Sequence, residues 1–277
     1  MTYVLTLKNC IEKLRQAGID DPESDARIIL TEASGMDYAH LMAEMRSEVS
    51  EDTSRKIKKF MEKRLKRIPL QQITGYTEFM GLKFSVDENV LCPRQDTEVL
   101  VEQVLDAADK NSRVLDMCTG SGCIAVSIAK LKKADTTACD ISEKAIAIAE
   151  KNARDNGVSV HFFKGDLFEA LPDHEKYDIV VSNPPYIKSD VIGTLEPEVK
   201  DHEPRIALDG AEDGLFFYRR IIMDAPDYLR KNGLIFFETG YDQAEQVKKL
   251  LLDRGFSDIK ITKDYGGNDR VVAGVFK

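Results

Sequence analysis

A seven-stranded, mostly parallel α/β sheet with helices on both faces, preceded by a small helical bundle, is the fold class that the sequence predicts. Three observations lead there. From about residue 112, short apolar runs alternate with helical patterns, as strand–helix–strand units do. A Gly120-x-Gly122 turn joins one such run to an apolar helix. Residues 1–68 carry helical spacing and no strand pattern.

The front region is read first. Leu5, Leu7, Ile11 and Leu14 recur at near-helical spacing, and Gly18 follows as a stop. Pro22 suits the first turn of a second helix, with Asp25 behind it and Ile28, Ile29 and Leu30 as apolar surface before Gly35. A short segment holds Tyr38, Leu41, Met42 and Met45. Glu51–Arg67 is a further helix with Ile57, Phe60, Met61 and Leu65 on one face. Residues 1–68 are therefore expected to form a bundle. Its last helix is strongly basic: Arg55, Lys56, Lys58, Lys59, Lys63, Arg64, Lys66 and Arg67. Such a run is either a patch for an acidic or RNA-bearing partner or a solvated helix face. The second reading is favoured, because most charge runs are only that.

Pro69 ends this helix. Gly75 and Gly81 bracket Tyr76–Met80, and Leu82, Phe84 and Val86 alternate with other residues, so 69–92 reads as a two-stranded connector. Pro93 precedes a helix opening with Asp96, Thr97 and Glu98, and residues 93–277 form the second domain. Its strands are expected at Arg113–Asp116, Thr136–Cys139, Ser159–Phe163, Ile179–Ser182, Leu234–Glu238, Ile259–Thr262 and Val271–Val275. Helices are expected after Ser121, Ser142, Gly214 and Asp242. The last two strands have no helix between them, which predicts an antiparallel edge strand on the parallel sheet.

Composition narrows the function. The 277 residues include 43% hydrophobic and 31% charged residues, which suits folded domains and not bulk disorder. No apolar run approaches the roughly 18–20 residues that span a bilayer, so no membrane partner is expected. The opening MTYVLTLKNCIEKLRQ meets charges too early for a signal-peptide core, which suggests a cytoplasmic setting. A net charge of −9 argues against stable nucleic-acid binding as the main role, although a local basic patch stays open. Cys10, Cys92, Cys118, Cys123 and Cys139 are odd in number and lack CxxC spacing, so free thiols are expected and no metal site.

Two motifs carry the chemistry. The first is VLDMCTGSGCIAVSIA: strand, tight turn, helix. Glycines belong where the backbone turns sharply and a ligand approaches it. Asp140, at the end of the next strand and 24 residues after Asp116, can accept hydrogen bonds from both ribose hydroxyls. Ala125 lets the stretch pass as a loose dinucleotide motif, so this motif alone leaves the ligand open between a pyrophosphate and S-adenosylmethionine. The second is IVVSNPPYI. Two prolines cannot continue a central strand, so the chain leaves the sheet at Asn183-Pro184-Pro185-Tyr186, at the strand end where open α/β sheets bind ligands. Asn183 offers a side-chain oxygen, Pro184 a carbonyl, and Tyr186 an aromatic face. Two acceptors beside a flat wall suit a planar NH2 group. Such a nitrogen is a poor nucleophile. Holding both hydrogens aligns it and stabilises the positive charge that develops as it attacks a methyl sulfonium.

Together these segments resemble a class I S-adenosylmethionine-dependent methyltransferase acting on an exocyclic or amide nitrogen. More narrowly, the chain resembles the HemK/PrmC family, the N5-glutamine methyltransferases of peptide chain release factors. The likeness runs through PLQQITGYTEFMGLKF, PRQDTE, LDMCTGSGCIA, ACDIS, GDLF, SNPPYI, EPRIALDGAEDGL and FETG, in family order. NPPY alone is shared with adenine-N6 DNA methyltransferases; the combination is far more specific. The resemblance implies a cytoplasmic protein methyltransferase, expected as a monomer, whose partner is a release factor and whose target is the glutamine of a GGQ loop. It implies S-adenosyl-L-methionine as cofactor, leaving S-adenosyl-L-homocysteine. Asp116, Cys118, Thr119, Gly120, Ser121, Gly122, Asp140, Asp166, Phe168 and Asn183 would bind it, with Phe168 beside the adenine. Asn183, Pro184, Pro185 and Tyr186 would clamp the amide, and Asn183, Pro184 and Tyr186 are the catalytic candidates. One departure stands out. The family often has Gly where Cys118 stands, and a Cys fits there only if φ is not forced positive.

Other residues are weighed. Arg94 and Glu203-Pro204-Arg205 either line the substrate mouth or make structural ion pairs. Glu238 is expected to make a structural hydrogen bond. His161, His174 and His202 have no partner pattern, and Lys188–Pro204 is a long polar segment suited to ordering on substrate binding. The rival readings are a ribosomal-protein glutamine or nucleic-acid adenine-N6 methyltransferase, and a non-catalytic cofactor-binding scaffold.

Overall fold

The computed structural model describes residues 1–172 and 175–277. Two compact units emerge: Met1–Gly75 with Glu196–His202, and Tyr76–Leu195 with Glu203–Lys277. His174 lies outside the described residues. Among the described residues no helix is long and apolar enough to cross a membrane.

The first unit is helical. Helices α1 (Tyr3–Gln16), α2 (Pro22–Ser34), α3 (Tyr38–Ala43), α4 (Glu51–Arg64) and α5 (Leu70–Thr74) form it, with α9 (Pro197–Lys200) of the inserted segment. Their ends follow the sequence. Asp21 accepts from the Ser24 amide and Pro22 sits in the first turn of α2, while Gly35 closes it at φ 71°. Leu14, Ala26, Ile29, Leu30, Leu41, Ile57, Met61 and Leu70 share one core. Fully burying each large side chain stabilises by about 1.5–3 kcal/mol. Leu5 does not join them, being 55% exposed. Leu7, Ile11 and Leu14 do pack on this core as expected, and Tyr3 and Cys10 complete the buried face of α1. The basic run divides. Arg64 is buried and reaches Asp25 at 2.6 Å and Glu198 at 2.7 Å, and Arg67 pairs with Glu198 and Glu196. Arg55, Lys56, Lys58, Lys59 and Lys66 remain exposed, and Lys63 is half-buried. Leu70–Thr74, expected as part of an extended connector, is one turn of helix capped by Gly75 at φ 83°.

The second unit opens with the expected hairpin, β1 (Tyr76–Phe79) and β2 (Leu82–Ser85). Its turn residues Met80 and Gly81 both have positive φ, as a right-twisted two-residue hairpin needs. Helix α6 (Gln95–Ala107) follows. Then come β3 (Arg113–Met117), α7 (Cys123–Lys132), β4 (Asp135–Asp140), α8 (Glu143–Asp155), β5 (His161–Lys164) and β6 (Tyr177–Ser182). The chain ends with α10 (Phe216–Asp224), β7 (Leu229–Glu238), α11 (Ala244–Asp253), β8 (Phe256–Lys263) and β9 (Asp269–Phe276). The seven-stranded sheet has the order β5-β4-β3-β6-β7-β9-β8. Pairings from β5 to β7 are parallel, and β9 runs antiparallel to both neighbours.

Alternate residues of each strand feed two cores, as pleating requires. Leu115, Met117, Val180, Ile235 and Phe237 pack with Tyr218, Ile221, Val247 and Leu251 of α10 and α11. Val114, Ile179, Val181 and Phe236 pack with Val99, Val104, Ile124 and Val126 of α6 and α7, and with Phe79 and Phe84 of the hairpin. The antiparallel strand is not at the edge as expected. β9 sits one place in, and β8 takes the edge. The burial patterns explain it: β9 buries Arg270, Val271, Val272 and Gly274, whereas β8 buries only Phe256 and otherwise mixes half-buried and exposed residues. A polar edge strand resists pairing with another chain.

Candidate active site

The strand order reverses between β3 and β6, and ligands of open α/β sheets bind at the carboxyl ends of strands at such a switch point. A pocket lies there, lined by the loops that leave β3, β4, β5 and β6: Cys118–Ser121, Asp140–Ser142, Gly165–Leu167, Asn183 and Pro185. Further wall comes from Cys123, Ile124, Cys139 and Ala145 of the sheet and its helices, and from Asn89–Leu91, Pro93, Arg94, Thr97, Pro204, Ile206, Ala207 and Phe217.

The glycine loop is held by carboxylates. Asp116 Oδ2 accepts from the Thr119 hydroxyl at 2.6 Å and from the Ala125 amide at 3.2 Å. It thereby ties the loop to the first turn of α7 from beneath. Burial pushes its carboxyl up to about 7, and Oδ1 has no partner among the described residues. Asp140 Oδ2 accepts from the Gly120 amide at 2.9 Å and Oδ1 from the Ser142 amide at 2.8 Å. An ionised carboxylate has about four acceptor positions, so two remain for hydroxyl groups in the pocket. Burial raises this carboxyl as well. Nothing lies within 4 Å of a Cβ built on Gly120, so its open face belongs to the pocket. Gly122 serves packing: a Cβ there would stand 2.9 Å from Ala149 Cβ of α8.

Cys118 corrects an expectation. Its φ is 63°, in the left-handed region that a side chain was expected to forbid. Thr119 N donates to Cys139 O at 3.0 Å, and this bond pins the turn that forces the angle. A non-glycine residue there stores roughly 1–3 kcal/mol of strain.

At the end of β6 the chain departs as expected. Asn183 Nδ2 donates to Thr97 Oγ1 at 3.3 Å, so its carbonyl oxygen is the group left for the pocket. Among the described residues no backbone amide donates to the Pro184 carbonyl. The exit from the loop is fixed by Gln243, whose Nε2 donates to Tyr186 O at 2.9 Å. The Tyr186 hydroxyl donates to Glu238 Oε1 at 3.3 Å. Gly214 makes room for this arrangement, since a Cβ would overlap the Tyr186 carbonyl oxygen.

Residues 6–75 match the family described as PrmC N-terminal domain, and residues 84–195 match Methyltransferase small domain. A protein of Fusobacterium nucleatum named release factor glutamine methyltransferase is 42% identical over 267 residues, 95% of this chain and 75% of its own length. The chain belongs to the release factor glutamine methyltransferase family. A second member, from Geobacter sulfurreducens, is 42% identical over 94% of this chain and 92% of its own. Among solved structures, a methyltransferase from Pyrococcus furiosus superposes with a TM-score of 0.55 at 17% identity, covering 70% of this chain and 89% of that one. That likeness establishes the class I methyltransferase fold.

Within this family member, the expected site residues separate into two tiers. Cys118, Thr119, Gly120, Ser121, Asp140, Asp166, Asn183 and Pro185 line the pocket. Asp116, Gly122, Phe168, Pro184 and Tyr186 are not among its lining residues. Phe168 is buried and stacks on Tyr228 with ring centroids 4.4 Å apart; its neighbour Leu167, at φ 52°, faces the pocket instead. Tyr186 packs its ring against the core. Asp166 lines the wall with its carboxylate held by Arg220 at 2.9 and 3.0 Å. Arg94 and Glu203 form a two-oxygen ion pair at 2.9 and 2.8 Å, and Glu203 also accepts from the Cys92 amide. Arg205 pairs with Asp209. His161 is exposed, and His202 meets the Lys66 carbonyl. Thr97, Gln243, Ile206 and Phe217 went unrecognised as site residues. Only Thr97 had a sequence signal, as one hydroxyl in a helix-opening phrase.

Proposed function

We propose that this chain transfers a methyl group from S-adenosyl-L-methionine to the side-chain N5 of the GGQ glutamine of a peptide chain release factor. The observation that carries this reading is Asn183: its NH2 is committed to Thr97, which leaves a carbonyl oxygen for the pocket beside the free Pro184 carbonyl. Two acceptors at a rigid strand exit suit the two hydrogens of a primary carboxamide. The names of the relatives support the substrate class.

The residues present fit the cofactor. Two acceptor positions of Asp140 suit ribose hydroxyls, Gly120 leaves its face open, and Val90, Leu91, Ile141 and Leu167 give apolar wall for a flat base. When bound, the cofactor supplies an electrophilic methyl on a sulfonium sulfur. The protein's part is positioning. Asn183 and the Pro184 carbonyl hold the amide hydrogens, which points the nitrogen lone pair and stabilises positive charge as it grows. No general base is needed first, because the nitrogen becomes acidic only once it is alkylated.

Incubating the protein with S-adenosyl-L-methionine and a release factor tests the reading. Mass spectrometry should find a 14-Da addition on the GGQ glutamine, the mass of a CH2 unit. A protein that binds the cofactor and leaves that glutamine unmodified would rule out the substrate.

A further inference from the structure

One guanidinium at the open rim of the pocket keeps unused donors. Arg94 lines the pocket just ahead of α6, and its side chain is 42% exposed. Its Nη2 donates to both oxygens of Glu203, at 2.9 and 2.8 Å. The Glu203 side chain is fully buried and also accepts from the Cys92 amide at 3.2 Å. A carboxylate held this firmly fixes the guanidinium it pairs with. A guanidinium carries five N–H bonds. The three on Nη1 and Nε have no partner among the described residues. Pro93, Pro204, Ile206 and Ala207 line the same pocket. Ile206 is 54% exposed, an apolar side chain held out at the rim. Arg205 turns to Asp209 instead, at 3.1 and 3.0 Å. Among the lining residues Arg94 is the only Lys or Arg.

We propose that Arg94 is a substrate-binding residue whose Nη1 and Nε donate to main-chain carbonyl oxygens of the peptide segment beside the target glutamine. Three arguments select that ligand. The half-exposed rim is where a protein substrate arrives, whereas the glycine loop and Asp140 hold their acceptors and open face for the cofactor. Glu203 balances the charge of Arg94, so a carboxylate ligand would set a second negative charge beside a buried one. A neutral carbonyl oxygen carries no such penalty. Finally, a donor on the oxygen of the reacting carboxamide would draw electron density from the nitrogen that must attack. A neighbouring main-chain carbonyl takes the hydrogen bond without that effect. The contact is made equally before and during transfer, so it strengthens substrate binding and leaves the chemical step alone.

This role rests on the amide-methylation reading, and binding is measured apart from transfer to keep the two distinct. Calorimetry follows a peptide chain release factor binding to the 277-residue chain saturated with S-adenosyl-L-homocysteine. Transfer from S-adenosyl-L-methionine is followed by mass spectrometry. Arg94→Lys keeps the charge and one nitrogen for Glu203 but has no further nitrogen to offer. It should weaken release-factor binding and raise KM about tenfold, the scale of one charge-assisted hydrogen bond. Its kcat and its affinity for S-adenosyl-L-homocysteine should stay within about twofold. Arg94→Met combined with Glu203→Gln removes both charges, leaves no carboxylate buried alone, and should show the same loss; it serves where the lysine variant fails to fold. Wild-type release-factor affinity in either folded variant would overturn the proposal. So would a loss confined to kcat, or one shared equally by S-adenosyl-L-homocysteine. Release-factor binding that Arg94→Lys weakens, with no glutamine methylated by the wild type, would overturn the methylation reading and leave the rim contact standing. A wild type that binds no release factor would overturn both.

Discussion

Asn183 is defined by its one side-chain partner. Thr97 takes the NH2, so under the mechanism we propose, replacing Asn183 with Ala removes an acceptor that acts mainly as charge builds on the substrate nitrogen. The expected loss in kcat is about 10²–10³, with the release-factor KM changed by less than about threefold; equal losses in both would indicate simple substrate binding. Cys118 offers a second residue-scale expectation. At φ 63°, a β-branched side chain is worse tolerated than Cys. Cys118→Val should lower the unfolding free energy by about 2 kcal/mol, whereas Cys118→Gly should keep the S-adenosyl-L-homocysteine affinity within about twofold; urea melts and calorimetry check both. Asp140 and Asn183 were legible in the sequence because each ends a strand and has a side chain whose chemistry is read directly. Phe168 was misplaced because sequence order cannot say which of two adjacent residues, Leu167 or Phe168, takes a left-handed turn. Thr97 was hidden for a different reason: its importance comes from a neighbour 86 residues away.

At the scale of elements, the site is a set of strand exits whose loops are held down from behind. Asp116 ties the glycine loop to α7, and Gln243 at the start of α11 ties down the turn after β6. Gly122 shows how little space remains. A methyl there would overlap Ala149, so Gly122→Ala should push α7 away from α8 and cost about 2–3 kcal/mol. Gly120→Ala meets no such neighbour and should cost less in stability, the left-handed φ being its main penalty. Thermal melts of the two variants check the order; equal destabilisation would show that φ, not contact, governs both. Alternation of apolar runs gave the seven strands and most helices, but not which strand forms the edge. That choice depends on comparing the two faces of β8 and β9. Short helices such as Leu70–Thr74 escape periodicity because one turn holds too few residues to display it.

For the whole molecule, buried acids set the response to pH. Burial raises Asp116 and Glu238 to about 7 each, and raises Asp140 and Glu203 as well. A carboxyl whose folded value lies above its unfolded one binds more protons in the native state. Its stabilising contribution is full below the unfolded value and is lost as pH rises through the folded one. Between pH 6 and 8 the loss is about 1.4 kcal/mol for a group at 7. Stability should therefore fall from pH 6 to 8, and Asp116→Asn should flatten the slope; a slope unchanged in that variant would assign it to other groups. The overall family was legible because its motifs span both units, from PLQQITG to FETG. The ion pairs of Arg64 were not, because a basic run gives no sign of which member turns inward.

The most direct measurement is a crystal structure of the protein with S-adenosyl-L-homocysteine and a glutamine-bearing release-factor peptide. The expected electron density puts the carboxamide nitrogen within about 3 Å of both Asn183 Oδ1 and the Pro184 carbonyl oxygen, facing the cofactor sulfur. A carboxamide bound elsewhere in the pocket, with those two oxygens solvated, would contradict the central claim.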